Sequence, residues 1–100
     1  MAKIKVPTVL IRSTNAGVFV GGLVSHVDGT VVLNDARRLW YWAGASSLSE
    51  LAMKGVSRPK ECKFPCSVPQ MTILGVCEII PMTAEAVASV AAVNVWTQHA

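Results

Sequence analysis

The sequence predicts an α+β domain in which an antiparallel sheet of about five strands carries two short helices on one face. Asp28-Gly29, between two valine-rich runs, is a strong hairpin signal, because both central residues of a type I′ turn need a positive φ. Strand-like runs also precede two helix starts, for which Ser47 and Thr83 are the predicted N-caps. The 100 residues make a single domain, residues 1–100.

Runs rich in β-branched and aromatic residues mark the strands. We predict strands over residues 6–13, 18–27, 30–33, 37–42 and 70–80. Gly21-Gly22 interrupts the second of these and predicts a bulge or a close backbone approach. Asn34-Asp35-Ala36 is expected to break or bend the chain before the fourth.

Two short helices follow from capping signals. Ser47 and Glu50 form a capping box for a helix that ends near Lys54, with Gly55 as its stop. Thr83 is expected to cap a second helix that runs to about Ala92. Residues 57–69, with three prolines, predict an irregular segment between the two helices.

The composition restricts the class of protein. Hydrophobic residues make up 52% of the chain and charged residues 15%, which favours a homodimer or larger assembly that covers apolar surface. A net charge of +3 is too small to hold duplex DNA through counterion release. The sequence shows neither a membrane-spanning segment nor a secretion signal, so we expect a cytoplasmic protein with no membrane partner.

Motifs for catalysis and metal binding are missing from the sequence. We find no phosphate loop, no nucleophile elbow and no zinc-protease motif, so we expect neither an enzyme nor a cofactor. The three cysteines are expected to be free thiols rather than metal ligands, with Cys77 buried in its apolar run. Glu78 is expected to lie at a solvated edge or to pair with an arginine such as Arg12 or Arg37, and we favour the ion pair over a role as general base.

Residues 37–42 combine two arginines, two tryptophans and the only tyrosine of the chain. On a strand, Arg38, Trp40 and Trp42 would share one face and Arg37, Leu39 and Tyr41 the other. A guanidinium beside two indole rings suits a planar or anionic ligand such as a nucleotide. The alternative is that both tryptophans anchor the core and the arginine stems cover their edges.

Four segments resemble a family of small uncharacterised proteins from tailed phages and prophages. They are Arg-Ser-Thr-Asn-Ala-Gly-Val-Phe-Val-Gly (12–21), Asp-Ala-Arg-Arg-Leu-Trp-Tyr-Trp-Ala-Gly-Ala-Ser-Ser-Leu-Ser-Glu-Leu-Ala (35–52), Cys-Lys-Phe (62–64) and Glu-Ile-Ile-Pro-Met-Thr (78–83). In size and strand order the chain is also similar to phage signal sponges that counter Thoeris and cyclic-oligonucleotide defence. That similarity implies binding of a nucleotide second messenger between subunits.

Two functions stay open at this point. The first is non-catalytic capture of a cyclic oligonucleotide or cyclic ADP-ribose signal, in which tryptophans stack on a base, arginines pair with phosphate and an asparagine binds a polar edge. Its candidate residues are Arg12, Asn15, Arg37, Arg38, Trp40, Trp42 and Asn94. Loss of Arg37 or Arg38 is then expected to weaken binding with little change in melting temperature. The second is a protein-interaction or structural module that uses the same apolar surface.

Overall fold

The computed structural model describes residues 6–97, and within them the chain has the predicted α+β fold. In chain order the elements are β1 (Thr8–Ser13), β2 (Gly17–Val27), β3 (Thr30–Arg38), α1 (Leu48–Lys54), β4 (Val68–Ile73), β5 (Val76–Pro81) and α2 (Ala84–Ala92). A 3-10 turn, Pro59–Glu61, lies between α1 and β4.

The five strands form one antiparallel sheet in the order β4-β3-β2-β1-β5. Strands β1 to β4 lie side by side in chain order, and β5 returns to pair with β1. The β2–β3 hairpin turns at Asp28 (φ 48°) and Gly29 (φ 77°), so the predicted hairpin is confirmed. The close approach predicted at Gly21 is also confirmed, because a Cβ there would lie 2.9 Å from the carbonyl oxygen of Asn34.

The single strand predicted over residues 70–80 is wrong. Leu74 and Gly75 separate β4 from β5, Gly75 has a positive φ of 68°, and the two strands lie at opposite edges of the sheet. In a flat sheet these edges would be about 19 Å apart, whereas the three residue steps from Ile73 to Val76 span at most about 11 Å. The sheet therefore curls so that its two edges approach each other at the connection between β4 and β5. There the amide of Val76 donates to the carbonyl of Gly29 at 2.9 Å.

The aromatic strand predicted over residues 37–42 is also wrong in most of its length. Strand β3 continues through the expected break, because Asp35 adopts a positive φ of 49° and absorbs one extra residue opposite β2. The strand then ends at Arg38. The amide of Leu39 still donates to Val18 of β2, but the next two residues bind another segment, with the amides of Trp40 and Tyr41 both donating to the carbonyl of Lys63.

Buried side chains form two clusters, one on each face of the sheet. The outer cluster joins the sheet to both helices and contains Leu10, Val18, Val20, Leu39, Leu51, Ala52, Val56, Cys62, Phe64, Val90 and Val93. The inner cluster comes from strands alone, with Val9, Ile11, Phe19, Val31, Leu33, Ala36 and Ile73. The curled sheet thus buries both of its faces, which accounts for part of the high apolar content.

Both predicted helices and their N-caps are confirmed. The Ser47 hydroxyl accepts the amide of Glu50 at 3.1 Å, and the Thr83 hydroxyl accepts the amide of Ala86 at 3.0 Å. The Glu50 carboxylate accepts the amide of Ser46 at 2.6 Å, one residue earlier than in a standard capping box. This hydrogen bond stabilises the ionised form and lowers the pKa of Glu50.

Candidate functional site

The seven candidate ligand-binding residues do not lie in one place. Arg12 and Glu78 pair across β1 and β5 at 2.9 Å, which confirms the ion pair predicted for Glu78. Asn15 is exposed in the β1–β2 turn.

Arg38 reaches the same turn from β3, where its Nη1 donates to the carbonyl of Ala16 at 2.6 Å. Its guanidinium lies 4.6 Å from the ring centroid of Phe19, on the inner face of the sheet.

Arg37 occupies the outer face, opposite Val20 of β2. Four of its N–H groups donate to carbonyl oxygens: Nε to Pro65 (2.9 Å), Nη1 to Val90 (2.9 Å) and Nη2 to Phe64 (3.1 Å) and Val93 (2.7 Å). Two of these carbonyls, those of Val90 and Val93, lie at the C-terminal end of α2, where the negative end of the helix dipole favours a cation. Arg37 therefore ties α2 to the segment that contains Phe64.

The pKa of Arg37 is affected by its surroundings. Burial lowers the pKa of its guanidinium, and the nearby Cys66 acts in the opposite direction. Arginine stays protonated despite such a shift. Since the guanidinium has five N–H groups, one N–H on Nη1 has no acceptor among residues 6–97. A positive charge with one available donor remains at this position.

Arg37 also lines a cleft of about 810 Å³ between α2 and strands β2 and β3. Six of the fourteen lining residues are valines, and the polar groups come from β1, β3 and the segment before β4. The cleft is lined by Val6, Thr8, Val20, Gly21, Gly22, Asn34, Asp35, Arg37, Ser67, Val87, Val90, Ala91, Val93 and Val95. Of the seven candidate residues, only Arg37 lies here.

Gly22 lets Val6 pack closely against β2 at the wall of this cleft. A Cβ at position 22 would lie 2.6 Å from Cγ2 of Val6, another lining residue. A larger residue would therefore displace the Val6 side chain.

A second surface carries three of the four tryptophan and tyrosine rings of the chain, together with a lysine. The amides of Trp40 and Tyr41 bond to one oxygen of Lys63, at 3.1 and 3.3 Å, so two residues oppose one in a β-bulge. Both rings are solvent-exposed, at 64% and 51%. The Lys63 Nζ lies 5.6 Å from the ring centroid of Trp96. We call Trp40, Tyr41, Lys63 and Trp96 the aromatic platform.

Trp42 does not belong to this platform. It packs partly buried against the outer cluster, as expected if it anchors the core. The two tryptophans of the predicted aromatic strand therefore have different roles. Trp40 is exposed and Trp42 supports the fold.

Asn94 lies beside the platform in a smaller pocket of about 450 Å³. The pocket is lined by Pro59, Lys60, Cys62, Ala92, Asn94, Val95 and Trp96. Sequence reasoning missed Lys60, Lys63 and Trp96, because they are 20 or more residues from Trp40 and no local pattern connects them.

The thiol and carboxylate groups of residues 6–97 do not form a cluster of three or more that could hold a metal ion. Cys62 is buried, and its sulfur accepts the amide of Ala43 at 3.4 Å. The prediction that Cys77 is buried is wrong, because β5 is an edge strand and leaves this side chain exposed. Within the same residues, neither helix is long and apolar enough to cross a membrane.

Comparison with protein families gives one match, to a domain of unknown function, DUF6948, over residues 6–90. The chain belongs to the DUF6948 family. The DUF6948 match runs from the residues before β1 into α2, and it includes Arg37, Trp40, Tyr41 and Lys63 but ends before Asn94. Neither the curated proteins nor the solved structures include one that matches the chain.

Proposed function

We propose that this DUF6948 protein binds a nucleotide second messenger, of the cyclic oligonucleotide or cyclic ADP-ribose type, in the cleft beside α2 and does not modify it. The proposed setting is a tailed phage or prophage, in which the protein would sequester a host defence signal in the host cytoplasm. That setting rests on the sequence resemblance. The ligand site rests on one observation, a cleft of about 810 Å³ at whose wall the described residues place one cation, Arg37.

The size and chemistry of the cleft support this ligand class. Pockets for small molecules typically enclose about 300 to 1,000 Å³ and combine apolar walls with a few polar groups. The valine walls suit the faces of a base, and Thr8, Asn34 and Ser67 offer hydrogen-bonding groups for its edge or for a ribose. The charge and free N–H of Arg37 suit one phosphate oxygen.

The lining also supports binding without catalysis. Among residues 6–97, Asp35 and Arg37 are the only charged side chains that line the cleft, and the lining from this part of the chain includes no histidine, cysteine or lysine. Phosphodiester hydrolysis generally needs an activated nucleophile together with a general base or metal ions. Asp35 alone does not supply this combination.

Replacing Ala91 with phenylalanine is expected to fill the cleft and weaken ligand binding at least tenfold, because Ala91 lines the cleft and is exposed on α2. Ala92→Phe is the matched control, since the next residue of the helix lines the smaller pocket instead. Calorimetry measures the binding of cyclic dinucleotides, cyclic trinucleotides and cyclic ADP-ribose to the parent protein and to both variants. The proposal fails if no messenger binds the parent protein, or if both variants bind a messenger as tightly as the parent does.

Self-association is a second proposal, which the exposed apolar residues at the curled end of the sheet favour. Val27 and Leu74 are each 66% exposed, on the two turns that the Val76–Gly29 hydrogen bond brings together. Light scattering at micromolar concentration is expected to give a dimer or larger, and Val27→Ser with Leu74→Ser is expected to shift it toward monomer. A parent mass near 10.6 kDa would contradict self-association.

A further inference from the structure

The aromatic platform is built on a short segment, residues 63–64, held between two others. Tyr41 forms an antiparallel bridge with Lys63, and Phe64 forms a parallel bridge with Val95. Phe64 is fully buried and Lys63 is exposed, as expected for neighbours on an extended segment. Lys63 therefore stands between the exposed rings of Trp40 and Tyr41 on one side and Trp96 on the other.

We propose that the aromatic platform binds single-stranded nucleic acid. One base stacks on the Trp40–Tyr41 side, a neighbouring base stacks on Trp96, and the phosphate between them pairs with Lys63. Stacking on exposed rings beside a cation is the common mode of single-strand binding, and it requires bases that are not already stacked in a duplex. This site is separate from the cleft beside α2 and does not depend on a messenger binding there.

The spacing of the platform fits this arrangement. The segments of Tyr41 and Trp96 flank residues 63–64 on opposite sides, so they are two strand spacings, about 10 Å, apart. That distance exceeds the separation of stacked bases in a helix and suits two bases splayed away from each other. The Lys63 Nζ lies 5.6 Å from the centroid of the Trp96 ring, within reach of a phosphate that links a base on Trp96 to its neighbour.

Charge near the platform favours an anionic partner. Residues 58–63 contain three basic side chains, Arg58, Lys60 and Lys63, against one acidic side chain, Glu61. Glu61 lies 3.8 Å from Arg58, so its charge is partly offset there. A partner that carries both regular negative charge and flat apolar groups matches this surface better than an acidic protein does.

The smaller pocket extends the site on the side of Trp96. Its lining includes Asn94 and Lys60. An amide both donates and accepts hydrogen bonds, and it can therefore pair with the edge of a base that stacks on Trp96. Lys60 is placed for the next phosphate.

Fluorescence anisotropy with fluorescein-labelled 12-nucleotide dT and rU strands tests the proposal, with a labelled 12-base-pair duplex alongside. Both single strands are expected to bind at low salt and the duplex at least tenfold more weakly. Trp96→Ala and Tyr41→Ala are each expected to weaken single-strand binding about tenfold. Lys63→Gln is expected to weaken it and to reduce the salt slope by about 0.7.

Two controls separate this site from other effects. Lys54→Gln removes an exposed lysine at the end of α1 and is expected to leave binding and salt slope unchanged. Ala91→Phe, which fills the cleft beside α2, is also expected to leave single-strand binding unchanged. Tryptophan fluorescence of the parent protein is expected to be quenched by dT, and the quenching is expected to fall in Trp40→Phe and Trp96→Phe, which keep a ring in place.

Absence of single-strand binding, equal binding of the duplex, or unchanged binding by the folded Trp96→Ala and Tyr41→Ala variants would each overturn the proposal. Circular dichroism melting identifies variants that remain folded. If Trp96→Ala does not fold, the proposal is tested by the fluorescence quenching of Trp96→Phe and by the salt slope of Lys63→Gln.

Discussion

Arg37→Ala is expected to lower the free energy of unfolding by about 2 to 3 kcal/mol, although Arg37 is a charged residue at the wall of a cleft. The substitution removes four hydrogen bonds from a cation to backbone carbonyls, including two at the end of α2. Bonds to charged groups contribute about 1.5 to 3 kcal/mol each, but here water can reach part of the site and replace some of them. Urea denaturation of the parent and variant measures the difference.

Arg38→Ala is the matched control for this prediction. Arg38 donates one hydrogen bond to a carbonyl and lies over the Phe19 ring, and because water can replace part of that bond, its loss is expected to cost about 1 to 1.5 kcal/mol. Arg37→Lys is expected to recover less than half of the lost stability, since an ammonium group cannot reproduce the planar fork. Equal unfolding midpoints for Arg37→Ala and the parent would contradict a structural role for these bonds.

The structure thus changes the expectation that loss of either arginine leaves the melting temperature nearly unchanged. For Arg37, weaker ligand binding and lower stability are expected together. Messenger binding is therefore better tested by filling the cleft at Ala91 than by removing Arg37.

Phe64→Ala is expected to lower the free energy of unfolding by about 3 to 5 kcal/mol, the usual cost of removing a fully buried aromatic ring. The ring is 0% exposed in the outer cluster, and the Arg37 guanidinium lies 5.4 Å from its centroid. Its backbone also accepts the amide of Trp96 at 3.0 Å, so a cavity here would loosen the platform as well.

Phe64→Leu provides the comparison, because leucine keeps most of the apolar contact and is expected to cost less than half as much. Thermal and urea unfolding measure both variants. A loss below about 1 kcal/mol for Phe64→Ala would show that the neighbouring side chains collapse into the space.

Features that depend on neighbouring residues could be predicted from the sequence. The hairpin at Asp28-Gly29 requires positive φ at two consecutive positions, and the caps at Ser47 and Thr83 are formed within four residues. In each case the residue types themselves determine the local hydrogen bonds or backbone angles. The ion pair of Arg12 with Glu78 was predicted from the cost of an unpaired carboxylate in an apolar strand.

Features that depend on distant segments could not be predicted in this way. The alternation of side chains predicts a single strand over residues 37–42. In the structure Lys63 pairs with Trp40 and Tyr41, so these two residues lie outside the sheet. Arg37 resembles a phosphate ligand until the end of α2, more than 50 residues later, supplies carbonyls for it. Likewise, the apolar run of residues 70–80 forms two strands with Gly75 between them, because β4 pairs with β3 whereas β5 pairs with β1.

The return of β5 to β1 affects how the chain folds. Arg12 and Glu78 are 66 residues apart in sequence, yet they are neighbours across this pair of strands. Contacts of such sequence separation place a domain among those that fold in milliseconds to seconds rather than microseconds. During synthesis one edge of β1 stays without its partner until β5 has been made, and an unpaired strand edge is a template for pairing with other chains.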